Sequence, residues 1–158
     1  MNEGCLLCRG PEGDRELGRI QVWEDDLWRL TTSVDEAETA AGFSYLEPKR
    51  HVPHVTDLDG EEAETFGGAL ARTTSALKEA TGAELVYVYV FGGGIAHLHV
   101  HLAPHVRGDS LNDTMIRGEF EEEALPSGAT RYVSKDFPAV PVEELRATAG
   151  RIAALLSH

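Results

Sequence analysis

The spacing of apolar residues changes along the chain, and each change predicts an element. Residues 20–24 and 27–32 read as short strands on either side of Glu24-Asp25-Asp26, the pattern of a hairpin. Residues 34–42 form an acidic, alanine-rich loop, and residues 43–47 a third strand ended by Pro48, which cannot donate to a ladder. Between residues 58 and 81 the period becomes helical, with Ala63, Phe66, Leu70, Thr73 and Leu77 on one stripe. Asp59 is placed to cap this helix, Glu61, Glu62 and Glu64 suit its positive end, and Gly82 can terminate it. Residues 84–91, β-branched and aromatic, predict a strand. Gly92-Gly93-Gly94 predicts a turn, and residues 95–103 alternate as a further strand up to Pro104. Residues 105–137 show little periodicity and read as a surface excursion. Pro141 opens a last helix striped by Val142, Leu145, Ala149, Ile152 and Leu156.

The length of 158 residues suits one domain, 1–158, divided into a knuckle at 1–18, a core at 19–105 and an extension at 106–158. No apolar run approaches the roughly 20 residues of a membrane helix, and the first ten residues lack the order of a secretory signal. The expectation is a cytoplasmic protein with no membrane partner. A net charge of −13 opposes binding to a nucleic acid duplex or an anionic membrane. It leaves room for a small anionic ligand at a locally positive site, and Lys49, Arg50 and Arg107 are the basic residues nearest the motifs below. The two cysteines, Cys5-Leu-Leu-Cys8, read as half a metal site or as a redox pair.

The densest chemistry lies in His97-Leu-His-Val-His-Leu-Ala-Pro104. On a strand, alternate side chains share a face, so His97, His99 and His101 point together while Leu98, Val100 and Leu102 face the core. Clustered imidazoles suit metal ligation or nucleophilic attack on phosphorus with a covalent intermediate. The glycines before them, Gly93 and Gly94 included, let backbone N–H groups approach an anion.

Residues 97–103 match every position of the motif His-φ-His-φ-His-φ-φ, φ being apolar, and so resemble the histidine-triad superfamily. Pro48-Lys-Arg-His51, Trp23-Glu-Asp-Asp26 and Cys5-x-x-Cys8 resemble further segments of its zinc-containing members, so the likeness spans about residues 3–105. The resemblance implies an α+β fold with an antiparallel sheet of about five strands and one long helix, to which the C-terminal helix read above is added, and a homodimer. It implies that His99 is the nucleophile, forming a nucleotidyl-histidine, and that His101 contacts phosphate or assists the leaving group. It also implies a structural zinc on Cys5, Cys8, His51 and His97, with His54 a possible substitute for His51. A Cys₂His₂ site is closed, and so would staple the N-terminus to the core. The implied activity is hydrolysis of nucleoside phosphoramidates or dinucleoside polyphosphates, or nucleotidyl transfer.

Three positions depart from the family pattern. Ser33 stands where many members carry a ribose-binding Asp, Gly42-Phe43 where a Gly-His or Thr-His pair precedes the central strand, and Gly93 where a glutamine contacts phosphate. Arg107 could pair with phosphate. Two other readings stay open: a nucleotide-binding or scaffolding protein with weak or no catalysis, and a metal-dependent enzyme of different chemistry on the same scaffold.

Overall fold

The computed structural model describes residues 4–109, 120–134 and 137–157. Its centre is a five-stranded antiparallel sheet of β1 (Arg19–Glu24), β2 (Trp28–Ser33), β3 (Ser44–Pro48), β4 (Leu85–Tyr89) and β5 (Val100–His105), in the order β1-β2-β3-β5-β4. The β1–β2 turn closes because the Asp25 carboxylate accepts the N–H groups of Leu27 and Trp28 at 2.8 and 2.7 Å. The long helix, α2 (Gly60–Thr81), ends where Gly82 takes a left-handed conformation, φ 69°. At its start, Asp59 makes no capping bond; its carboxylate pairs with Arg50 instead.

One face of the sheet is apolar and packs on α2 and the C-terminal helix, α3 (Val142–Leu156). Trp28, Leu30, Leu46, Val100 and Leu102 meet Ala69, Ala76, Leu77, Ile152 and Leu156 there. Of the expected stripe, Phe66, Leu70, Thr73 and Leu77 face the core and only Ala63 is exposed; Ala69 and Ala76 widen the buried face. Tight packing fixes Gly42 (φ 84°), where an added Cβ would lie 2.6 Å from Thr81 Cγ2.

Four expectations need correction. Residues 1–18 are not merely a looped knuckle: a 3-10 turn (Leu6–Arg9) and a short helix, α1 (Pro11–Glu16), follow Cys5. The strand expected at 84–91 is ladder-paired only over Leu85–Tyr89. The strand expected at 95–103 begins only at Val100 and runs on through Pro104 to His105. Before it, the N–H of Leu98 bonds to the Val52 carbonyl at 2.7 Å and that of His97 to Ile95, so this stretch pairs with a loop, not a strand. Residues 105–137 contain a hairpin, β6 (Phe120–Ala124) with β7 (Thr130–Ser134), where the glutamate run alternates across a two-stranded ladder. Arg131 fastens this hairpin to the loop after β2, its guanidinium 2.9 Å from Asp35 and 2.8 Å from Glu123. No helix among the described residues is long and apolar enough to cross a membrane.

Candidate functional site: a cysteine–histidine cluster joined to a histidine face

The opposite face of the sheet is polar, because cross-strand partners share a side. The register Thr31↔Tyr45↔His101↔Tyr89 sets one row, and Arg29↔Glu47 begins the next. Where β5 gives way to the loop, the three histidines of the motif part into three environments.

His97, 1 % exposed, turns into a cluster with Cys5, Cys8 and His51 whose ligand atoms all lie within 4.8 Å of one another. Its Nδ1 is 3.5 Å from Cys5 Sγ and 3.4 Å from Cys8 Sγ, while His51 Nδ1 is 3.3 Å from Cys8 Sγ. Tetrahedral zinc with bonds of ~2.3 Å to sulfur and ~2.05 Å to nitrogen requires S···N edges of about 3.6 Å, close to these three separations. The Nε2–H of His97 donates to the Pro48 carbonyl at 2.9 Å, which leaves Nδ1 with a lone pair toward the sulfurs, as an outer hydrogen bond does for a metal-bound imidazole. Burial pushes the Cys5 thiol pKa up and the His97 imidazole pKa down; a bound cation would favour the thiolate and is compatible with neutral imidazole. His54 lies outside this cluster, so it does not substitute for His51.

His99 is 9 % exposed, and burial lowers its pKa, with the charge of Arg19 acting in the same direction. Its Nδ1–H donates to the His97 carbonyl at 2.6 Å. Nε2 therefore carries the lone pair, the state an attacking imidazole needs. His99 borders a cavity of about 120 Å³ with Pro53, His54, Val55, Val90, Phe91 and Gly92. Phe91 is 71 % exposed at this edge. Of the three glycines, Gly92 lines the cavity, while Gly93 and Gly94 stand exposed in the bend.

His101 sits among aromatic rings. Tyr89 stacks on it at 4.6 Å between centroids and 16° between planes, Tyr45 stands edge-on at 5.2 Å, and Phe43 at 6.2 Å. The His99 and His101 rings are 5.2 Å apart. Ser33 is buried at the end of β2 opposite Arg19, its N–H bonded to the Phe43 carbonyl. Arg107 is exposed in the turn after β5, and among the described residues no bond ties it to the triad. His105 is held by Asp109 at 2.9 Å and stacked on Tyr87. Lys49 and Arg50 pair with Glu24 and with Asp59 and Glu62, as surface charges do.

Sequence reasoning missed the buried ionic quartet beside the triad, on the same face of the sheet. Glu47, fully buried, accepts from Arg19 Nη1 at 3.0 Å and Arg29 Nε at 2.9 Å. Arg29 also reaches both Asp14 oxygens at 3.0 Å and the Leu7 carbonyl at 3.2 Å, tying the cysteine-bearing turn and α1 to the sheet. Burial works to lower the Arg29 pKa, but Glu47 and Asp14 outweigh it and the net shift is upward. Asp14 is raised chiefly by burial, which Arg29 offsets only in part. The available signal was a charged residue at an inward position of each strand, two residues from Tyr45 in β3 and from Thr31 in β2.

Sheet order, helix placement and the histidine face together define the α+β histidine-triad fold, here carrying a Cys₂His₂-type cluster consistent with its zinc-binding branch. Solved structures of histidine-triad proteins share the fold. A hypothetical histidine triad nucleotide-binding protein of Sulfolobus tokodaii is 18 % identical, covering 96 % of this chain and 91 % of that one, with a TM-score of 0.65. A Zn-bound histidine triad family protein of Mycobacterium smegmatis is 19 % identical, covering 96 % and 94 %, with a TM-score of 0.60. A curated relative, the bis(5'-adenosyl)-triphosphatase of Dictyostelium discoideum, is 29 % identical over 90 residues, 54 % of this chain. The match spans 60 % of that relative's length. No family model matches the chain.

Proposed function

We propose that this protein binds a nucleotide over the triad face and uses His99 as the nucleophile of a hydrolase or nucleotidyl transferase. The observation that carries the reading is the Nδ1–H bond from His99 to the His97 carbonyl, which leaves Nε2 unprotonated beside a cavity. In the proposed first step, Nε2 bonds to phosphorus, the bond to the leaving group breaks, and the leaving atom takes the electron pair and a proton. His101, packed against His99, contacts phosphate or assists that departure. Water or another acceptor then cleaves the P–N bond, releasing the nucleotide and restoring His99. The substrate class is a nucleoside phosphoramidate or dinucleoside polyphosphate, in keeping with the name of the Dictyostelium relative. Ser33, Gly93, Gly94 and Arg107 are the further proposed contacts.

In the same reading Cys5, Cys8, His51 and His97 hold one zinc ion. Four protein ligands leave no open position, so its contribution is structural. It would pin the N-terminal turn against the backbone that presents His99. This also disfavours the metal-dependent alternative. The protein works in the cytoplasm as a homodimer, joined along edge strand β4, whose Leu85 and Val88 are 43 % and 44 % exposed.

Nucleotide binding with weak or no turnover is the coarser reading, and the relatives lend it more support than they lend any one chemistry. Phe43, Ser33 and Gly93 favour it, since each replaces a polar contact of the family pattern. Turnover and intact mass of wild type and His99→Ala, with adenosine 5'-phosphoramidate and diadenosine triphosphate, separate the two. Hydrolysis with a nucleotidyl adduct, both lost in the variant, is the expected result. Nucleotide binding with neither turnover nor adduct would select the second reading.

A further inference from the structure

An anionic substrate brought to a protein of net charge −13 needs a cation at the site, and the five strands of the sheet carry two, Arg19 and Arg29. Arg29 has no donor nitrogen to spare. Its Nε, Nη1 and Nη2 all bond, to Glu47, Asp14 and the Leu7 carbonyl. Arg19 differs. Only its Nη1 bonds, to Glu47 at 3.0 Å, and among the described residues its Nε and Nη2 have no hydrogen-bond partner. A guanidinium presents five N–H donors in a rigid fork, so an edge remains for a ligand.

The position of that edge is fixed from two sides. The Glu47 carboxylate anchors Nη1, and the guanidinium carbon lies 3.5 Å over the Tyr45 ring, a cation–π contact that holds the group in place. The same Tyr45 ring is 5.2 Å from the His101 ring and 6.5 Å from the His99 ring. Arg19, its side chain 9 % exposed, thus packs on the tyrosine that neighbours both histidines to which chemistry is assigned. Arg107, the arginine expected to take this part, is exposed on a turn.

We propose that Arg19 is an anion-binding residue of this site, donating from its unused edge to a phosphoryl oxygen of the substrate held at His99. The inference rests on the nucleotide reading above and deepens it by naming the group that recognises the phosphate. Arg19 acts in binding and positioning, because the bonds made and broken are at His99. A charge-assisted, bidentate contact of this kind is what an arginine fork supplies and a lysine does not.

The experiment is calorimetric titration of the zinc-loaded protein with AMP, adenosine and pyrophosphate, in wild type, Arg19→Gln and Arg19→Lys. Glu47 keeps its bonds to Arg29 when Arg19 is replaced, so the variants should fold; circular dichroism and the melting temperature verify this. In wild type, AMP should bind more tightly than adenosine. Arg19→Gln should weaken AMP by about 10- to 100-fold, the loss of a hydrogen bond to a charged group, and leave adenosine within about threefold. Arg19→Lys should restore part of the AMP affinity, which a merely structural role would not require. With turnover, KM should rise more than kcat falls. AMP affinity unchanged in a folded Arg19→Gln would overturn the proposal and leave the nucleotide reading standing, as would equal losses for AMP and adenosine. Binding of pyrophosphate but not AMP, lost in Arg19→Gln, would uphold the anion site and refute the nucleotide reading.

Discussion

Glu47→Gln probes the ionic quartet most directly. The carboxylate is fully buried, and both oxygens are committed: Oε1 to Arg19 and, at 3.5 Å, to the Thr31 hydroxyl; Oε2 to Arg29. Glutamine keeps the size but puts an NH₂ against a guanidinium N–H, donor facing donor. It also changes the quartet of Arg19, Arg29, Asp14 and Glu47 from neutral to one unit positive. Breaking a buried pair in this way costs roughly 3–5 kcal/mol, mostly because the partner charge stays buried without its counterion. That is a large part of the about 5–15 kcal/mol that holds a domain folded. At about 2–4 °C per kcal/mol, the melting temperature should fall by roughly 6–20 °C. Urea unfolding followed by the fluorescence of Trp23 and Trp28, at fixed zinc concentration, measures the change. A double-mutant cycle with Arg19→Gln should return a coupling above about 1 kcal/mol, as for directly bonded neighbours. A loss below about 1 kcal/mol, the range of exposed ion pairs, would refute the reasoning, since it would mean that water reaches the quartet.

Two further outcomes are expected. The purified protein should carry about one zinc per chain, and Cys8→Ser or a strong chelator should lower the melting temperature and loosen the N-terminal turn to protease; a metal-free chain of unchanged stability would contradict a structural ion. Light scattering should give a mass near twice 17.2 kDa, falling to the monomer value in Val88→Lys, because a charge on the exposed edge strand opposes strand pairing; a wild-type monomer at micromolar concentration would remove the dimer.

The elements with strong local signals were legible in the sequence. The hairpin turn at Asp25, the helix ending at Gly82 and the stripe of α3 each depend on residues close together in the chain. So did the core positions Leu98, Val100 and Leu102, since alternation survives even where ladder pairing stops. The four residues of the metal cluster were named from motif resemblance, and the fold brings their ligand atoms together. The β6–β7 hairpin escaped because its strand of consecutive glutamates has no apolar alternation to reveal a period.

By itself, then, the sequence determined which segments fold locally and which residue types could do chemistry. Only the tertiary structure decided how the three histidines divide their work. Residues 97 and 99 precede the sheet ladder, and the bonds of Leu98 N–H to Val52 and of His97 Nε2–H to Pro48 hold His97 toward sulfur and leave His99 beside the cavity. It likewise decided that Arg19, unremarkable in a strand pattern, reaches over β2 to Glu47 and Tyr45 on β3. Such partners lie more than 25 residues apart in the chain and are set by sheet register, which no local periodicity encodes.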